Sequence, residues 1–310
     1  MRLKGQESFL DKTSKYAHLA LFSVGVIYAL NYFIAKGLMP DKIGPSGFIA
    51  LRVVGGGLLF WGVRFLSKIE KVDRGDLLRL ALCGLTGVAI NQLCFFNGLS
   101  LTSPLHASLI MTINPIFVLV ASALILGSSI TTRKLLGIAL GGAGAILLLL
   151  STTSSPSTNG PNFIGDILIL INALSYGVYL VVVKPLMQRY RPITVISWVF
   201  LFGALFAVPC GVGEAMAIDW GRFSISDWQG VLYVVIGTTF LAYLLNIYAL
   251  GTVEPTVVSI YIYLQPIIVT VLSAVWAYGD LNLKTLGCAA SIFTGVWLVS
   301  IPKGYLSNRI

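Results

Sequence analysis

Ten apolar stretches follow one another along this 310-residue chain, near 17–39, 44–66, 77–98, 104–127, 134–151, 163–187, 193–213, 228–250, 255–277 and 284–302. Each is about twenty residues long and nearly free of charge, the length an α-helix needs to cross a hydrocarbon core about 30 Å thick. Lipid offers backbone N–H and C=O groups no water to bond, so spans of this kind must satisfy themselves as helices. The expected fold is an all-α polytopic membrane protein with ten transmembrane helices. Only 11% of the residues are charged, about half the share of a soluble domain, and the mean hydropathy is +0.88.

The charges gather between the spans, and Lys and Arg set the orientation. With the N-terminus in the cytoplasm, the inner segments hold 16 of them, among them Arg2, Lys4, Lys12, Lys15, Arg64, Arg74, Arg133, Lys184, Arg189 and Lys303, and the outer segments hold 3, Lys42, Arg222 and Lys284. Lys36 and Arg52 remain inside spans. Both termini are therefore expected in the cytoplasm. The net charge of +9 is explained by this placement. There is no basic run interleaved with aromatics, so no nucleic-acid partner is expected, only the lipid bilayer and a small-molecule substrate. The four cysteines, Cys83, Cys94, Cys210 and Cys288, sit in or beside apolar runs without C-x-x-C spacing and read as small apolar residues. Nothing implies a metal or a cofactor. The first span is longer than a signal-peptide core and lacks a small-residue cleavage site behind it, so it reads as a retained helix. The lack of an organellar presequence points to a bacterial inner membrane.

One phrase occurs twice. The first half reads Pro104-Leu-His-Ala-Ser108-Leu-Ile-Met111-Thr-Ile-Asn114-Pro115, the second Pro255-Thr-Val-Val-Ser259-Ile-Tyr-Ile262-Tyr263-Leu-Gln265-Pro266. In each, a side-chain amide precedes a mid-span proline. That proline leaves the carbonyl four residues back, Met111 or Ile262, without its helical partner. A packed kink would account for either copy alone. The matched pair makes Asn114, Pro115 and Pro266 candidates for hinges, with Gln265 beside them. A second echo joins Tyr28…Lys36-Gly-Leu38-Met39 to Tyr176…Lys184-Pro-Leu186-Met187, and a third joins Arg133–Gly137 to Leu283–Gly287. Two similar halves of five spans each must enter the membrane in opposite senses, because five is odd. This is the inverted-topology repeat with which secondary transporters build a site at mid-depth. The expected division is a cytoplasmic segment 1–16, a first five-helix repeat 17–151, an external linker 152–162, a second repeat 163–302 and a cytoplasmic tail 303–310.

Tyr28…Lys36, Pro45, Arg52, Gly98-Leu99, Pro104 and Asn114-Pro115, repeated through Tyr176, Lys184, Ala249-Leu250, Pro255 and Pro266, resemble the EamA-type unit of the drug/metabolite transporter superfamily. The resemblance covers both halves. It implies two inverted five-helix units, alternating access, and export or exchange of small metabolites such as amino acids, nucleobases, sugar phosphates or drugs. The second unit departs from the first in having the apolar Trp198–Phe200 where Arg52 stands.

Polar groups in a bilayer face the bundle interior. Tyr28, Asn31 and Tyr32 lie on one helical stripe with Gly25, Ala35, Lys36 and Met39. They read as a cavity wall, or as packing through Gly25 and Ala35 with amides as glue. Tyr176 and Tyr179 hold the corresponding place in the second half. Arg52, about two turns into its span, needs an anionic or carbonyl partner. It and Lys36 could draw a substrate carboxylate or phosphate, although Lys36 is near enough to its helix end to snorkel. Asn91 and Gln92 are adjacent and so are expected on different faces, with Gly84, Gly87 and Asn91 sharing a stripe. With Asn91, the residues Tyr243, Asn246, Tyr263 and Gln265 complete a substrate-binding cavity rich in phenols and amides, suited to amino-acid-like or amphipathic solutes. His106 reads as a wetted interfacial residue. Gly137-x-x-x-Gly141 marks close helix contact, internal or between two copies, so monomer and homodimer stay open.

No carboxylate falls in mid-span, whereas proton-coupled carriers bury one as a relay. Facilitated export or exchange is thus favoured over a proton-coupled multidrug or metabolite exporter. A channel would show charge rings or a carbonyl filter, and Gly55-Gly56-Gly57 reads better as close helix packing. An intramembrane enzyme would need a Ser/His pair, paired aspartates or a metal cluster, and none of these patterns is present.

Overall fold

The structure is a computed structural model that describes residues 2–39, 41–67, 69–101, 107, 110–151, 163–277 and 283–300. The described residues are helical and contain no strand. In chain order the helices are α1 (Arg2–Leu38), α2 (Pro45–Leu66), α3 (Arg74–Leu101), α4 (Asn114–Leu126), α5 (Thr132–Ser151), α6 (Phe163–Gln188), α7 (Pro192–Met216) and α8 (Ile225–Thr252). Helix α9 is built from Pro255–Ile260, a 3-10 turn Tyr261–Tyr263 and Leu264–Ala277, and α10 is Leu283–Ser300. Six segments, Lys15–Leu38 of α1 together with α2, α3, α6, α7 and α8, are long and apolar enough to cross a membrane. Asn114–Leu126, Pro255–Ile268 and Leu286–Ser300 are shorter apolar helices. Helix α1 starts well before the apolar run, because the polar segment ahead of Ala17 contains no proline to stop it.

Local chemistry sets the helix starts. Pro45, Pro192 and Pro255 stand in the first turns of α2, α7 and α9, where a missing N–H costs nothing. Ser224 and Asp227 form a reciprocal capping box at the head of α8. Gly127 ends α4 with φ +63°, the left-handed conformation that glycine adopts at least cost.

Packing follows one scheme. Helix α2 lies on α7, α5 on α10 and α4 on α9. Helix α1 meets α8 and α9, as α6 meets α3 and α4, while α3 meets α7 as α8 meets α2. Exchanging the first five helices for the second five leaves these partners unchanged. The glycine stripe of α5 is occupied within the chain: a Cβ on Gly295 of α10 would lie 2.6 Å from the Gly137 carbonyl oxygen and 2.7 Å from Gly141 N. Gly55 and Gly56 similarly back onto Val235 and Thr239 of α8. Large apolar side chains such as Leu58, Leu66, Leu124 and Leu205 face outward, an arrangement suited to a lipid surround. Between α2, α7 and α8, Phe60 packs at a tilt on Phe200 with centroids 4.8 Å apart, and Phe200 meets Tyr243 edge-on at 5.0 Å.

Candidate functional site

Helices α1, α2, α3, α6, α8 and α9 enclose a cavity of about 100 Å³. Two of them turn π-helical where they reach it. Helix α3 is π-helical over Leu85–Ile90 and α8 over Tyr233–Leu241. The same 151-residue shift that carries Pro115 to Pro266 carries Ile90 to Leu241, so both π segments end at the matching place. Such wide turns recur at functional sites because they rotate the side chains that follow. Asn91 and Gln92, although adjacent and about 100° apart around the helix, both line the cavity, as do Phe95 and Phe96 one turn on.

Arg52 of α2 is buried. Its Nε donates to Thr239 Oγ1 at 3.0 Å, and that hydroxyl donates to the carbonyl of Val234 five residues back in the π segment at 2.8 Å. The guanidinium carbon stands 4.8 Å from the centroid of Phe96, a cation–π contact. The hydroxyl and the aromatic face take the place of the anionic or carbonyl partner that the sequence leads one to expect. Among the described residues no Asp, Glu, Lys or His lines the cavity, and Arg52 is the one charged side chain in that lining.

Of the residues singled out from the sequence, Tyr28, Asn31, Tyr32, Arg52, Asn91, Tyr176, Tyr243, Asn246 and Gln265 meet around this space. They are tied to one another. Thr238 Oγ1 donates to Asn31 Oδ1 at 3.2 Å, Asn246 Nδ2 donates to Tyr176 Oη, and Tyr32 meets Phe95 edge-on at 5.8 Å. Gln92 Nε2 donates to Tyr243 Oη at 2.9 Å, which donates onward to the Gly87 carbonyl at 3.1 Å.

Tyr179 and Tyr263 are buried elsewhere. Tyr179 lies over Gly87. Tyr263 packs on Gly141 and Gly142 and donates to the Ile138 carbonyl at 3.4 Å. Lys36 is exposed, outside the cavity. Its counterpart Lys184 caps the end of α8, donating to the carbonyls of Leu250 at 2.5 Å and Val253 at 2.7 Å. Asn114 is buried and its Nδ2 donates to the Ala173 carbonyl at 2.6 Å. The chain turns at Thr112–Ile113 just before Asn114-Pro115, and α9 tightens to a 3-10 turn just before Gln265-Pro266. Met111 and Ile262, the residues four before each proline, both line the cavity. Pro104, His106 and Ser108 lie outside the described residues.

Several lining residues stand outside the set singled out. Asn172 sits one turn before Tyr176 on α6 and donates from Nδ2 to the Asn91 carbonyl at 2.7 Å. A helical wheel extended back from Tyr176 would have found it. Gln92 lies on a different face of α3 from Asn91, and Phe95 and Phe96 carry no polar signal. Three amide oxygens of the lining residues, Gln92 Oε1, Asn172 Oδ1 and Asn246 Oδ1, are buried without a protein partner. They add acceptors near a cavity in which the guanidinium of Arg52 is a donor.

The profile of the EamA-like transporter family matches residues 15–150 and again 163–301. A protein of Archaeoglobus fulgidus named "uncharacterized transporter" is 26% identical over 294 residues, which are 94% of this chain and 96% of that one. A protein of Streptantibioticus cattleyicolor named "probable terminal-alkyne amino-acid exporter" is 25% identical over 201 residues, 65% of each chain. One solved crystal structure superposes with a TM-score of 0.72 at 18% identity, over 94% of this chain and 97% of that one, a likeness of fold.

Proposed function

The chain belongs to the EamA-like transporter family, and we propose that it exports or exchanges small organic solutes bearing a carboxylate, by alternating access around the cavity at Arg52. It is a multi-pass membrane transporter and not an enzyme. The finer reading is ten transmembrane helices in two inverted five-helix units, set in a cell inner membrane with both termini cytoplasmic. The double match to the family and the exchange of packing partners between the halves support it.

The observation that carries the substrate class is Arg52. A guanidinium buried with a hydroxyl and a ring, in a lining whose described residues include no carboxylate, carries an uncompensated charge that is costly to keep from water. A ligand carboxylate relieves that cost and makes charge-assisted hydrogen bonds. The amide oxygens then favour a solute with a donor group beside its carboxylate, and the phenols and phenyl rings favour an apolar or aromatic remainder. Amino-acid-like solutes meet all three requirements, and the relative named as an amino-acid exporter supports placing them first.

A thermal-shift screen of the detergent-purified protein against a metabolite library tests the class, because a ligand bound only by the folded state raises its melting temperature. Carboxylates with a nearby donor should shift it. A response to phosphorylated compounds alone overturns the substrate class. Saturable counterflow of the responding solute in proteoliposomes tests the carrier reading, and flux that does not saturate points to a channel.

A further inference from the structure

Each end of the bundle carries a buried carboxylate paired with a basic side chain, and the two carboxylates stand at matching positions. At one end, Asp76 in the first turn of α3 accepts from Arg189 Nη1 at 3.1 Å on each oxygen and from Tyr190 Oη at 2.8 Å. Tyr190 Oη accepts from Asp73 N at 3.1 Å, and Glu70 Oε2 accepts from Arg191 N at 3.0 Å. At the other end, Asp227 in the first turn of α8 is paired with Lys42. Its Oδ2 also accepts from Ser224 N at 2.8 Å and Ser224 Oγ at 2.7 Å. Helix α2, with 22 residues, separates Lys42 from the Asp76 cluster by about 33 Å at 1.5 Å per residue. The two clusters therefore lie at opposite ends of the bundle.

Three features set these carboxylates apart from ordinary surface ion pairs. Asp76 and Asp227 are only 6% and 8% exposed. They are related by the 151-residue shift that also relates Pro115 to Pro266. Each takes its basic partner from the other half: Arg189 and Tyr190 follow α6, and Lys42 follows α1. Helices α3 and α8, whose first turns are held in this way, carry the π segments and supply Gln92 and Tyr243 to the cavity.

We propose that Asp76 and Asp227 are the paired gate residues of the transport cycle. Each clamps the head of one cavity-lining helix to the opposite half, and each opening of the cavity breaks one clamp while the other stays made. The proposal rests on the carrier reading above. Its energetic logic is symmetry: two clamps of like chemistry at opposite ends keep the two openings close in free energy, so a modest bias from the substrate can exchange them. An acid in the first turn also steadies a helix on its own. A role confined to capping would weaken the fold without favouring either opening.

The test uses proteoliposomes of one orientation, a protein freed of its native cysteines, and Val24→Cys as a reporter on the cavity wall. A membrane-impermeant maleimide is added to one face at a time. Asp76→Asn should raise labelling from the Asp76 end by about tenfold, and Asp227→Asn should do so from the other end, as expected when one conformer loses a charge-assisted hydrogen bond. The double variant should return labelling toward balance. Arg189→Gln and Lys42→Gln leave the capping carboxylates in place and should give the same opposite shifts. Labelling that is unchanged, or that changes alike from both faces, overturns the proposal. Opposite shifts in a protein showing no counterflow of any solute would retain the gates and reject the carrier reading. Counterflow without the shifts would do the reverse.

Discussion

Gln92 Nε2 donates to Tyr243 Oη at 2.9 Å, and the two residues hold the same place in α3 and α8, each two positions past the end of a π segment. The contact therefore joins matching positions of the two halves beside the cavity. The positions match but the chemistry does not: an amide on one side meets a phenol on the other. Asn31 and Tyr179 stand in matching places of α1 and α6, and so do Arg52 and Phe200 of α2 and α7. The site is lopsided although the scaffold is close to symmetric, and a solute with unlike ends can be held in one sense.

Tyr243→Phe removes the acceptor of Gln92 and the donor of the Gly87 carbonyl. Gln92 already has a buried unpartnered Oε1, so this variant leaves the whole amide unpaired. The expected cost is about 1–3 kcal/mol, read as a lower melting temperature of the detergent-purified protein. Gln92→Leu should cost less, because Tyr243 keeps its bond to Gly87. The double variant should be milder than the two costs added, by about 0.5–3 kcal/mol. Strict additivity would show that the bond contributes nothing.

Much of this was legible in the sequence, for definable reasons. Apolar length identifies membrane helices directly, and the paired Asn114-Pro115 and Gln265-Pro266 phrases reveal the two halves, because mid-span prolines are too costly to be casual. Tyr28, Asn31 and Tyr32 could be placed on an inward stripe because α1 keeps regular α geometry there. Asn91 and Gln92 were set apart because they fall on different faces of α3, but the cavity takes in both faces, which carry Phe95 and Phe96 one turn on. Tyr179 was misleading for another reason. A phenol at mid-depth marks the bundle interior, but whether it faces a void or a glycine depends on its neighbour, here Gly87 of α3. The ion pairs at Asp76 and Asp227 were invisible because each joins the first turn of a helix to a loop far away in the chain.

Gly87 makes room for a ring. A Cβ there would lie 2.5 Å from Tyr179 Cγ, closer than atoms pack. Gly87→Ala should therefore destabilise the protein by about 1–3 kcal/mol through overpacking. Tyr179→Leu, introduced with it, should recover most of that loss, since the two sites share one space. Gly57 has nothing within 4 Å of such a Cβ, so Gly57→Ala should be neutral or stabilising by up to about 1 kcal/mol from helix propensity. Melting temperatures of the four proteins decide this, and equal losses at Gly87 and Gly57 would reject the contact.

Arg52 separates binding from stability. Arg52→Met keeps an unbranched chain over Phe96 and removes the buried charge, so the ligand-free protein should be at least as stable as the parent. Its response to carboxylate solutes should vanish. Truncating one partner of a buried charge pair costs at least about 2 kcal/mol, or roughly thirtyfold in affinity. Arg52→Lys should recover little, because an ammonium lacks the planar fork and strong stacking of a guanidinium. A thermal-shift titration checks all three proteins. Undiminished carboxylate binding by the Met variant would remove Arg52 from the site.

Pro115 and Pro266 follow backbone breaks at matching depths, and the carbonyls they release belong to Met111 and Ile262, which line the cavity. A continuous helix bends little, whereas a helix lacking one rung of its ladder concentrates bending there. Replacing either proline with alanine restores an N–H donor and lets the helix close through the break. The cavity side chains themselves are untouched, so solute affinity should change by less than about twofold, while turnover, which in the proposed alternating-access cycle has the two halves rock about these points, should fall by about tenfold. Binding by thermal-shift titration and rate by counterflow separate the two effects. Wild-type turnover in both Pro115→Ala and Pro266→Ala would reduce the prolines to packed kinks. A loss of affinity matching the loss of rate would place them in the binding surface instead of the hinge.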